Sequence, residues 1–266
     1  MQSQQLQTIH DTLLSTLDFR PIFITVSGAH LYGFESYNSD LDLRGCHYPV
    51  GLEFLRYNKS SDTIDRSFED RNIFREETDL VSHSFFKYLY LLVRKANGYV
   101  LEQLYSPLVI QTSPLHQELK TLGKECICKE LKYHYGGFFK NQTQLLTKEK
   151  KQVKLVLYQA RIIASSVYAA QNGQIEANLV KANQATGIFD EAKLNELIEI
   201  KRQGEKNNFP DSRQFNYWQE VISNKWELID QSFEKSDLPS FDSQKVSTMA
   251  NNLINRNFQF LPISRY

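Results

Sequence analysis

Hydrophobic residues near the N-terminus first follow a helical repeat and then form a strand-like run. Five apolar residues recur at helical spacing: Leu6, Ile9, Leu13, Leu14 and Leu17. They predict an amphipathic helix over residues 4–17. The next run, Ile22–Val26, is apolar and mostly β-branched, and it predicts a buried strand.

The segment after this strand predicts a turn, a short helix or loop, and a second strand. Gly28 marks the turn, and Asp40 and Asp42 alternate with Leu41 and Leu43 further on. Because residues i and i+2 of a strand point to the same side, both carboxylates are expected on one face. The two leucines are then expected to point into the core.

The chain up to about residue 110 predicts further strands and helices. Residues 45–50 could continue the second strand. The polar stretch 57–76 predicts an exposed connection that contains a short strand or hairpin. A short strand is predicted over 77–83, and it is followed by helices over 84–95 and 100–104.

The pattern beyond residue 110 is helical. Helices are predicted over the ranges 115–124, 126–135, 148–171, 191–203, 214–235 and 244–256. The pair Gly136-Gly137 is expected to end the second of these helices, because glycine is a poor helix former.

These elements predict an α/β (α+β) fold made of two units. A small mixed-sheet domain is expected over residues 1–110, followed by an all-helical domain over 111–266. No long Pro-, Gly- or Ser-rich linker separates them, so the boundary should be a short turn. A cleft between the two units is where a ligand is expected to bind.

Composition narrows the classes of function. Lys plus Arg equals Asp plus Glu, at 31 each, so no global positive field favours tight, sequence-independent binding of long nucleic acid. The three cysteines form neither a disulfide framework nor a zinc site and are expected to be reduced. No signal sequence or membrane-spanning run is present. The expected location is therefore the cytoplasm, and the oligomeric state stays open.

The paired acids and the glycine turn carry the candidate chemistry. Carboxylates as close as Asp40 and Asp42 repel each other unless a cation lies between them. Mg²⁺ is the natural partner, since it binds through one or two carboxylates and substrate phosphates. The turn at Gly28 adds backbone N–H groups that can approach a triphosphate. Each motif alone favours a purely structural role, whereas the two together favour a phosphate and metal site.

Residues 26–44, V-S-G-A-H-L-Y-G-F-E-S-Y-N-S-D-L-D-L-R, resemble the glycine-turn and D-x-D motif of the DNA polymerase β-like nucleotidyltransferase superfamily. The resemblance is especially to its RNA-repair-pathway polymerase β family branch. Four further segments are similar to that branch: E-T-D-L-V-S-H (77–83), N-G-Y-V-L-E-Q-L-Y-S-P-L (97–108), H-Y-G-G-F (134–138) and V-K-L-V-L-Y-Q-A-R-I-I (153–163). The similarity therefore covers most of the chain.

The resemblance implies a metal-dependent nucleotidyltransferase that uses Mg²⁺ or Mn²⁺. It would move a nucleoside monophosphate from a nucleoside triphosphate to an acceptor hydroxyl, with an RNA end as the acceptor. Asp40, Asp42 and Asp79 would be the catalytic and metal-binding acids, since a two-metal site needs a third carboxylate. Asp79 is placed ahead of Glu77, which shares its strand face, and ahead of Glu76, which points the other way.

The residues expected to contact the nucleotide are Ser27, Gly28, Ala29, Ser39, Lys154, Tyr158 and Arg161. The last three share one face of the predicted helix 148–171, where cations flank an aromatic ring. A solvated basic turn is the structural alternative for that face. Ala29 stands where the superfamily usually has serine, and losing one neutral hydrogen bond costs about 0.5–1.5 kcal/mol. Weaker nucleotide binding is expected, with catalysis retained. Glu102 could be a fourth acid, although helix glutamates more often cap or pair.

Two other functional interpretations stay open. The same transfer could act on a protein hydroxyl or a small molecule, which the neutral overall charge would favour. The chain could also be a non-catalytic nucleotide-binding module that has kept the fold. The three candidate acids argue against that interpretation, because buried unpaired carboxylates are costly to keep without a metal.

Overall fold

The computed structural model describes residues 1–49, 62–95, 97–148, 152–205 and 207–258. Its strands are β1 (Pro21–Val26), β2 (Leu41–His47), β3 (Thr63–Phe68), β4 (Thr78–Ser84) and β5 (Val109–Gln111). Its helices are α1 (Ser3–Leu14), α2 (Gly28–Tyr32), α3 (Phe85–Lys95), α4 (Gly98–Tyr105), α5 (Pro114–Lys124), α6 (Leu131–Lys148), α7 (Val153–Asn172), α8 (Leu179–Thr186), α9 (Glu191–Arg202), α10 (Ser212–Lys225), α11 (Leu228–Lys235) and α12 (Ser243–Asn257).

The strands form one mixed five-stranded sheet in the order β3-β4-β2-β1-β5. Strands β2 and β4 are parallel, and the other neighbouring pairs are antiparallel. Helices follow the sheet in sequence from α5 to α12. The predicted mixed α/β fold class is therefore confirmed.

The sheet has an apolar layer on each face. On one face, Ile9 and Leu13 of α1 pack with Ile24, Leu41 and Leu80. On the other face, a second core begins at Ile22 and Phe23 in β1 and continues through the helices as far as Leu253. Ile22 and Ile24 contact opposite layers, and both lie beside a register shift between Pro21 and Phe23.

The large core passes through the proposed boundary at residue 110 without a break. Side chains of β1 and α4 share this core with side chains of α5, α7 and α12. The division into domains over 1–110 and 111–266 remains a prediction. None of the helices in the described ranges has both the length and the apolar character needed to cross a bilayer.

Polar side chains fix where many of the later helices begin. Each of these residues accepts a hydrogen bond from the backbone N–H three positions on: Ser113, Asn178, Asp190, Asp211 and Asp242. Such caps satisfy N–H groups that have no partner inside the helix. The helical array is therefore defined by short-range polar signals as well as by the core.

The predicted helix break at Gly136-Gly137 is wrong, because both glycines lie inside the 18-residue helix α6. Glycine costs roughly 0.8–1.0 kcal/mol relative to alanine in a helix interior. Burial of Leu131, Tyr135 and Phe139 on the inner side of α6 outweighs that cost. Packing with the neighbouring helix α7 therefore keeps the helix continuous.

Other boundaries also differ from the sequence prediction. The predicted helix 214–235 is two helices, α10 and α11, which are separated at Trp226 and Glu227. No glycine or proline marks this break. Strand β5 lies at the start of the region expected to be helical, where it pairs with β1. The long helix predicted over 148–171 is α7, which begins at Val153. Residue 148 is the last residue of α6, and 149–151 lie outside the described residues.

Candidate active site

The register between β2 and β4 places Asp42 directly opposite Asp79. The two residues are paired Cα partners on neighbouring parallel strands. Burial alternates along both strands, so that Leu41, Leu43 and Leu80 are buried while both acids are partly exposed. The predicted strand face is therefore present, and it joins acids from two strands.

Asp40 lies one residue before β2 and is exposed. Partial burial raises the pKa of Asp40, and the charges of Glu77, Asp79, Glu205 and Asp42 raise it further. The negative charges of these four acids therefore repel the negative charge of Asp40. Such crowding is what a cation at this edge of the sheet would relieve.

Arg44 and Ser67 hold the two paired acids. The Arg44 guanidinium donates to Oδ1 of Asp42 at 2.8 Å and to the backbone oxygen of Asp79 at 3.1 Å. It also donates to the hydroxyl of Tyr99 at 2.9 Å. The Ser67 hydroxyl lies 2.7 Å from Oδ1 of Asp79, to which it donates. Arg44 thus ties β2 to β4 and α4.

The acids suit a hard divalent metal in type, although their present contacts are to other partners. Among the described residues, no group of three or more His, Cys, Asp or Glu side chains converges closely enough to hold a metal ion. The donors of Asp40, Asp42 and Asp79 are all carboxylate oxygens, which Mg²⁺ and Mn²⁺ prefer. Their mutual repulsion, seen in the raised pKa of Asp40, fits the same kind of ligand.

The turn between β1 and α2 brings the backbone against the Asp42 carboxylate. Gly28 has φ 58°, and a Cβ added there would lie 1.9 Å from Oδ2 of Asp42. The neighbouring Ser27 backbone N–H donates to the Asp42 carbonyl oxygen at 2.8 Å. Only glycine fits this left-handed, crowded position.

Ser27 supplies the polar group of this turn. Its Oγ is buried and has no hydrogen-bond partner within the described ranges. The Ala29 side chain is 7% exposed and belongs to the large core, so position 29 offers no hydroxyl to a ligand. The free hydroxyl at the turn is therefore one residue before the glycine instead of one after it.

A cavity of about 610 Å³ opens beside the turn and β2. Its walls include Gly28, Asp42, Arg44, Tyr99, Phe138 and Tyr158. The ring of Tyr158 packs edge-on against Tyr32 and Phe34, with ring centroids 5.6 and 5.5 Å apart. A cavity lined by charged side chains and several aromatic rings is suited to a ligand that combines charged and planar parts.

Lys154 and Ser39 meet at a carboxylate that was not among the predicted site residues. The Lys154 ammonium is paired with Glu205, as is the buried Lys201 ammonium. Ser39 Oγ donates to Oε2 of Glu205 at 2.9 Å, and Ser36 Oγ donates to it at 3.1 Å. Burial opposes the ionised form of Glu205, but the two lysines hold its pKa down at about 2.

The position of Arg161 requires a correction to its expected contact with the nucleotide. Its side chain is 0% exposed, and Nη1 donates to Oε1 of Glu102 at 2.7 Å. Its guanidinium lies 3.9 Å from the ring centroid of Tyr32. Arg161 is therefore a buried partner of Glu102 and has no surface to offer a ligand. Pairing, the commoner role for a helix glutamate, is the one observed for Glu102.

Comparison with known proteins gives the family. A family model described as "RlaP: RNA repair pathway DNA polymerase beta family" matches residues 1–256. The chain belongs to this family. The resemblance seen in the glycine turn, the D-x-D motif and the later segments is thereby confirmed.

Two individual proteins are also similar to this member of the RNA repair pathway polymerase β family. "Uncharacterized protein MJ0002" of Methanocaldococcus jannaschii is 28% identical over 238 residues, which cover 86% of this chain and 91% of that protein. A nucleotidyltransferase-like protein from Exiguobacterium sibiricum is 9% identical with a TM-score of 0.30, covering 95% of this chain and 89% of its own.

Three residues of the site in this family member were missed by sequence reasoning. Arg44 follows Asp42 by two residues, so strand alternation alone places them on the same face. Tyr99 and Glu205 gave no comparable signal. They reach the site through α4 and the turn after α9, which are remote from β2 in sequence.

Proposed function

We propose that the protein is a metal-dependent nucleotidyltransferase that transfers a nucleoside monophosphate from a nucleoside triphosphate to an RNA end. The family to which the chain belongs suggests a polymerase β-like nucleotidyltransferase in an RNA repair pathway. The observation that carries the proposal is the pairing of Asp42 with Asp79 beside the Gly28 turn. Asp42 and Gly28 line the aromatic cavity, and Asp79 lies beside Asp42 on the neighbouring strand.

Asp40, Asp42 and Asp79 are the residues that would hold Mg²⁺ or Mn²⁺. When bound, such a metal supplies positive charge that polarises the α-phosphate and offsets the charge of the departing pyrophosphate. In the structure Asp42 accepts a hydrogen bond from Arg44, and Asp79 accepts one from Ser67. Both present partners are hydrogen-bond donors, so they keep the acids oriented and available in the absence of a metal.

The phosphates of the nucleotide are assigned to Gly28 and to the donors around it. Backbone N–H groups of the Gly28 turn and the unpartnered hydroxyl of Ser27 provide neutral donors. Lys154 and Ser39 provide a cation and a hydroxyl, and both now donate to Glu205. Because these donors already converge on an anion, a phosphate group is a chemically matched competitor for them.

We assign the base of the nucleotide to the aromatic side chains that line the cavity. Tyr158 lines this cavity with Tyr99 and Phe138, and base–aromatic stacking is worth roughly 1–3 kcal/mol. Arg161 contributes indirectly, because its guanidinium packs over the face of the Tyr32 ring. Tyr32 in turn packs against Tyr158. The expected role of Tyr158 is kept, and Arg161 becomes a supporting residue.

The proposed transfer replaces one phosphorus–oxygen bond with another. The acceptor hydroxyl oxygen forms a bond to the α-phosphorus, and the bond between that phosphorus and the bridging oxygen breaks. Pyrophosphate leaves with the electron pair of the broken bond. The proton of the acceptor hydroxyl passes to the Asp79 carboxylate, which Ser67 orients. In-line geometry and charge stabilisation supply most of the rate enhancement in such reactions.

Transfer to a protein or small-molecule acceptor is the second candidate. The specific observation in its favour is the equality of positive and negative residues, 31 of each, since many RNA-binding proteins carry a basic surface. A non-catalytic nucleotide-binding module would keep the cavity without needing three crowded acids. The closeness of Asp42 to Asp79 on neighbouring strands favours an occupant of opposite charge at those acids.

The decisive experiment offers each α-labelled nucleoside triphosphate with Mg²⁺ or Mn²⁺. Single-stranded RNA, a protein extract or no acceptor is added, and label transfer is measured. We expect label on RNA, and we expect it to be lost in the Asp40→Asn/Asp42→Asn double variant. Label on protein alone would favour the second candidate. Nucleotide binding without transfer to any acceptor would contradict the proposed enzyme activity.

A further inference from the structure

Helix α6 carries two adjacent glycines that packing among the described residues does not require. Gly136 and Gly137 lie in the interior of α6, where each weakens the helix relative to alanine. A Cβ added at either position would meet no atom within 4 Å in the described part of the chain. These glycines therefore cost stability without relieving any crowding from the residues that the structure describes.

Two other helical glycines differ in this respect. A Cβ on Gly98 would lie 2.7 Å from Cδ2 of His134, and a Cβ on Gly123 would lie 2.7 Å from Cδ2 of Leu104. Glycine at those positions is explained by close packing. The open space above Gly136 and Gly137 instead leaves the helix backbone accessible among the described residues.

The two glycines lie on a helix face that connects two cavities. Five exposed residues recur at helical spacing on this face: Tyr133, Gly137, Lys140, Asn141 and Gln144. Tyr133, Gly137 and Asn141 line the 610 Å³ cavity that contains Asp42. Lys140 and Gln144 line a second cavity of about 470 Å³. The face spans about 16 Å from Tyr133 to Gln144 at the rise of an α-helix.

The second cavity combines an aromatic surface with amide groups. Trp226 is 37% exposed and stacks on Phe139, with ring centroids 6.3 Å apart and an interplanar angle of 15°. Gln159 is 2% exposed, and its Nε2 donates to Thr143 at 2.9 Å. Its Oε1 is buried with no partner among the described residues. The cavity thus offers a stacking ring beside an unused hydrogen-bond acceptor.

We propose that this face of α6 binds a single-stranded RNA acceptor. We name it the α6 track and define it as Gly136 together with the five exposed residues Tyr133, Gly137, Lys140, Asn141 and Gln144. The sugar-phosphate chain passes closely over the bare glycines, from the cavity at Asp42 towards the second cavity, where a base stacks on Trp226 and donates to Gln159. The identity of the acceptor rests on the proposed function.

The chemistry of the α6 track favours a single strand over a duplex. Unpaired bases present faces for stacking and edges for amide recognition, whereas a duplex keeps both engaged. The track includes one cation, Lys140. Stacking and amide contacts should therefore supply more of the affinity than phosphate neutralisation, and the dependence of binding on salt should be shallow.

The test measures RNA binding separately from transfer. A fluorescein-labelled single-stranded RNA of about 12 nucleotides, within the usual range of site sizes, is titrated with protein without nucleotide or metal. We expect Gly137→Ala to raise the melting temperature and yet weaken binding, and Gly137→Leu to weaken it further. Ala192→Leu, which adds a comparable apolar group at an exposed position of α9, should leave binding unchanged.

Trp226 provides a second, independent readout. Its fluorescence should be quenched by single-stranded RNA, and Trp226→Ala should weaken binding roughly 5- to 150-fold, as expected for one lost stacking contact. Trp226→Phe keeps a ring and should retain most of the affinity if the folded structure is unchanged. Trp218 is 2% exposed and contributes a constant background.

The outcomes separate this inference from the proposed function. RNA binding that survives in Asp42→Asn, together with no transfer by the wild type, would support the α6 track and contradict the proposed activity. No binding of single-stranded RNA by the wild type would overturn the inference, even if label reached another acceptor. Equal effects of Gly137→Leu and Ala192→Leu, or tighter binding of a duplex, would also overturn it.

Discussion

A side chain at position 28 and the Asp42 carboxylate cannot occupy the same space. A Cβ on Gly28 would lie 1.9 Å from Oδ2 and 2.6 Å from Cγ of Asp42. The backbone of Gly28 is also left-handed, with φ 58°. The glycine turn and the second acid of the D-x-D motif therefore form one steric unit, and a change in either should move the other.

Gly28→Ala should abolish metal-dependent transfer by displacing Asp42. Part of its effect is backbone strain, about 1–2 kcal/mol for an L-residue in this region. Gly187→Ala is the matched control, because Gly187 has φ 64° and open space around a Cβ. Backbone strain should lower the free energy of unfolding by a similar amount in both variants, and the contact with Asp42 should lower it further in Gly28→Ala. Only Gly28→Ala should lose transfer. Equal retention of activity in the two variants would show that the close contact with Asp42 is unimportant.

Asp79→Asn and Glu77→Gln should separate the proposed third acid, Asp79, from its neighbour Glu77. Both carboxylates contact the Ser67 hydroxyl, but only Asp79 is in register with Asp42. Transfer rates in Asp79→Asn should fall by more than the roughly 10–100-fold typical of residues that only support a metal ligand. Glu77→Gln should stay within a few-fold of wild type. The reverse order of effects would assign the role to Glu77.

Breaking the buried pair between Arg161 and Glu102 should destabilise the protein strongly. Burial raises the pKa of Glu102, and the Arg161 charge opposes that change. Removing one partner leaves an uncompensated buried charge, so Arg161→Met should lower the free energy of unfolding by about 3–5 kcal/mol. The double variant Glu102→Leu/Arg161→Met should recover much of the loss. Urea denaturation measures both, and an undiminished stability in Arg161→Met would contradict the structural role.

Stability should fall in mild acid because several histidines are buried in the neutral form. Burial lowers the pKa to about 4 for each of these residues: His47, His83, His116 and His134. The unfolded chain takes up protons at these positions near pH 6.5, whereas the folded chain excludes them until about pH 4. The free energy of unfolding should therefore drop as pH falls through this window.

The size of that drop gives a direct check. Each excluded proton contributes about 1.4 kcal/mol per pH unit to the slope. Urea unfolding between pH 7 and pH 5 should show the fall, and His116→Gln should reduce the slope by about one proton. The His116 ring stacks on the Phe23 ring with their centroids 4.3 Å apart, and its Nε2 lies within hydrogen-bond distance of the Leu104 carbonyl oxygen. A flat profile from pH 7 to pH 5 would contradict the prediction.

Local sequence patterns were sufficient to predict the elements that carry the candidate site near the N-terminus. The β-branched run to Val26, the glycine turn and the alternation at Asp40 and Asp42 each depend on residues close together in sequence. The structure has β1, α2 and β2 at these places. The pairing of Asp42 with Asp79 needed one further step, which was supplied by the family resemblance.

The failures come from interactions between residues that are distant in sequence. Gly136 and Gly137 should end an isolated helix, but packing of α6 against α7 keeps it intact. Arg161 has the spacing of a ligand contact, yet the position of Glu102 on α4 determines its role. Glu205 binds Lys154 from a turn 51 residues further on. No local pattern records partners at such separations.

The parallel pairing of β2 with β4 also means that the proposed active site should form late in folding. Asp42 and Asp79 are 37 positions apart (79 − 42), and only the completed ladder brings them level. A slip of one residue would set a leucine where an acid belongs. Because distant parallel pairings form slowly, transfer activity during refolding should lag behind the return of helical circular dichroism. A nascent or partly folded chain would then carry no reactive centre.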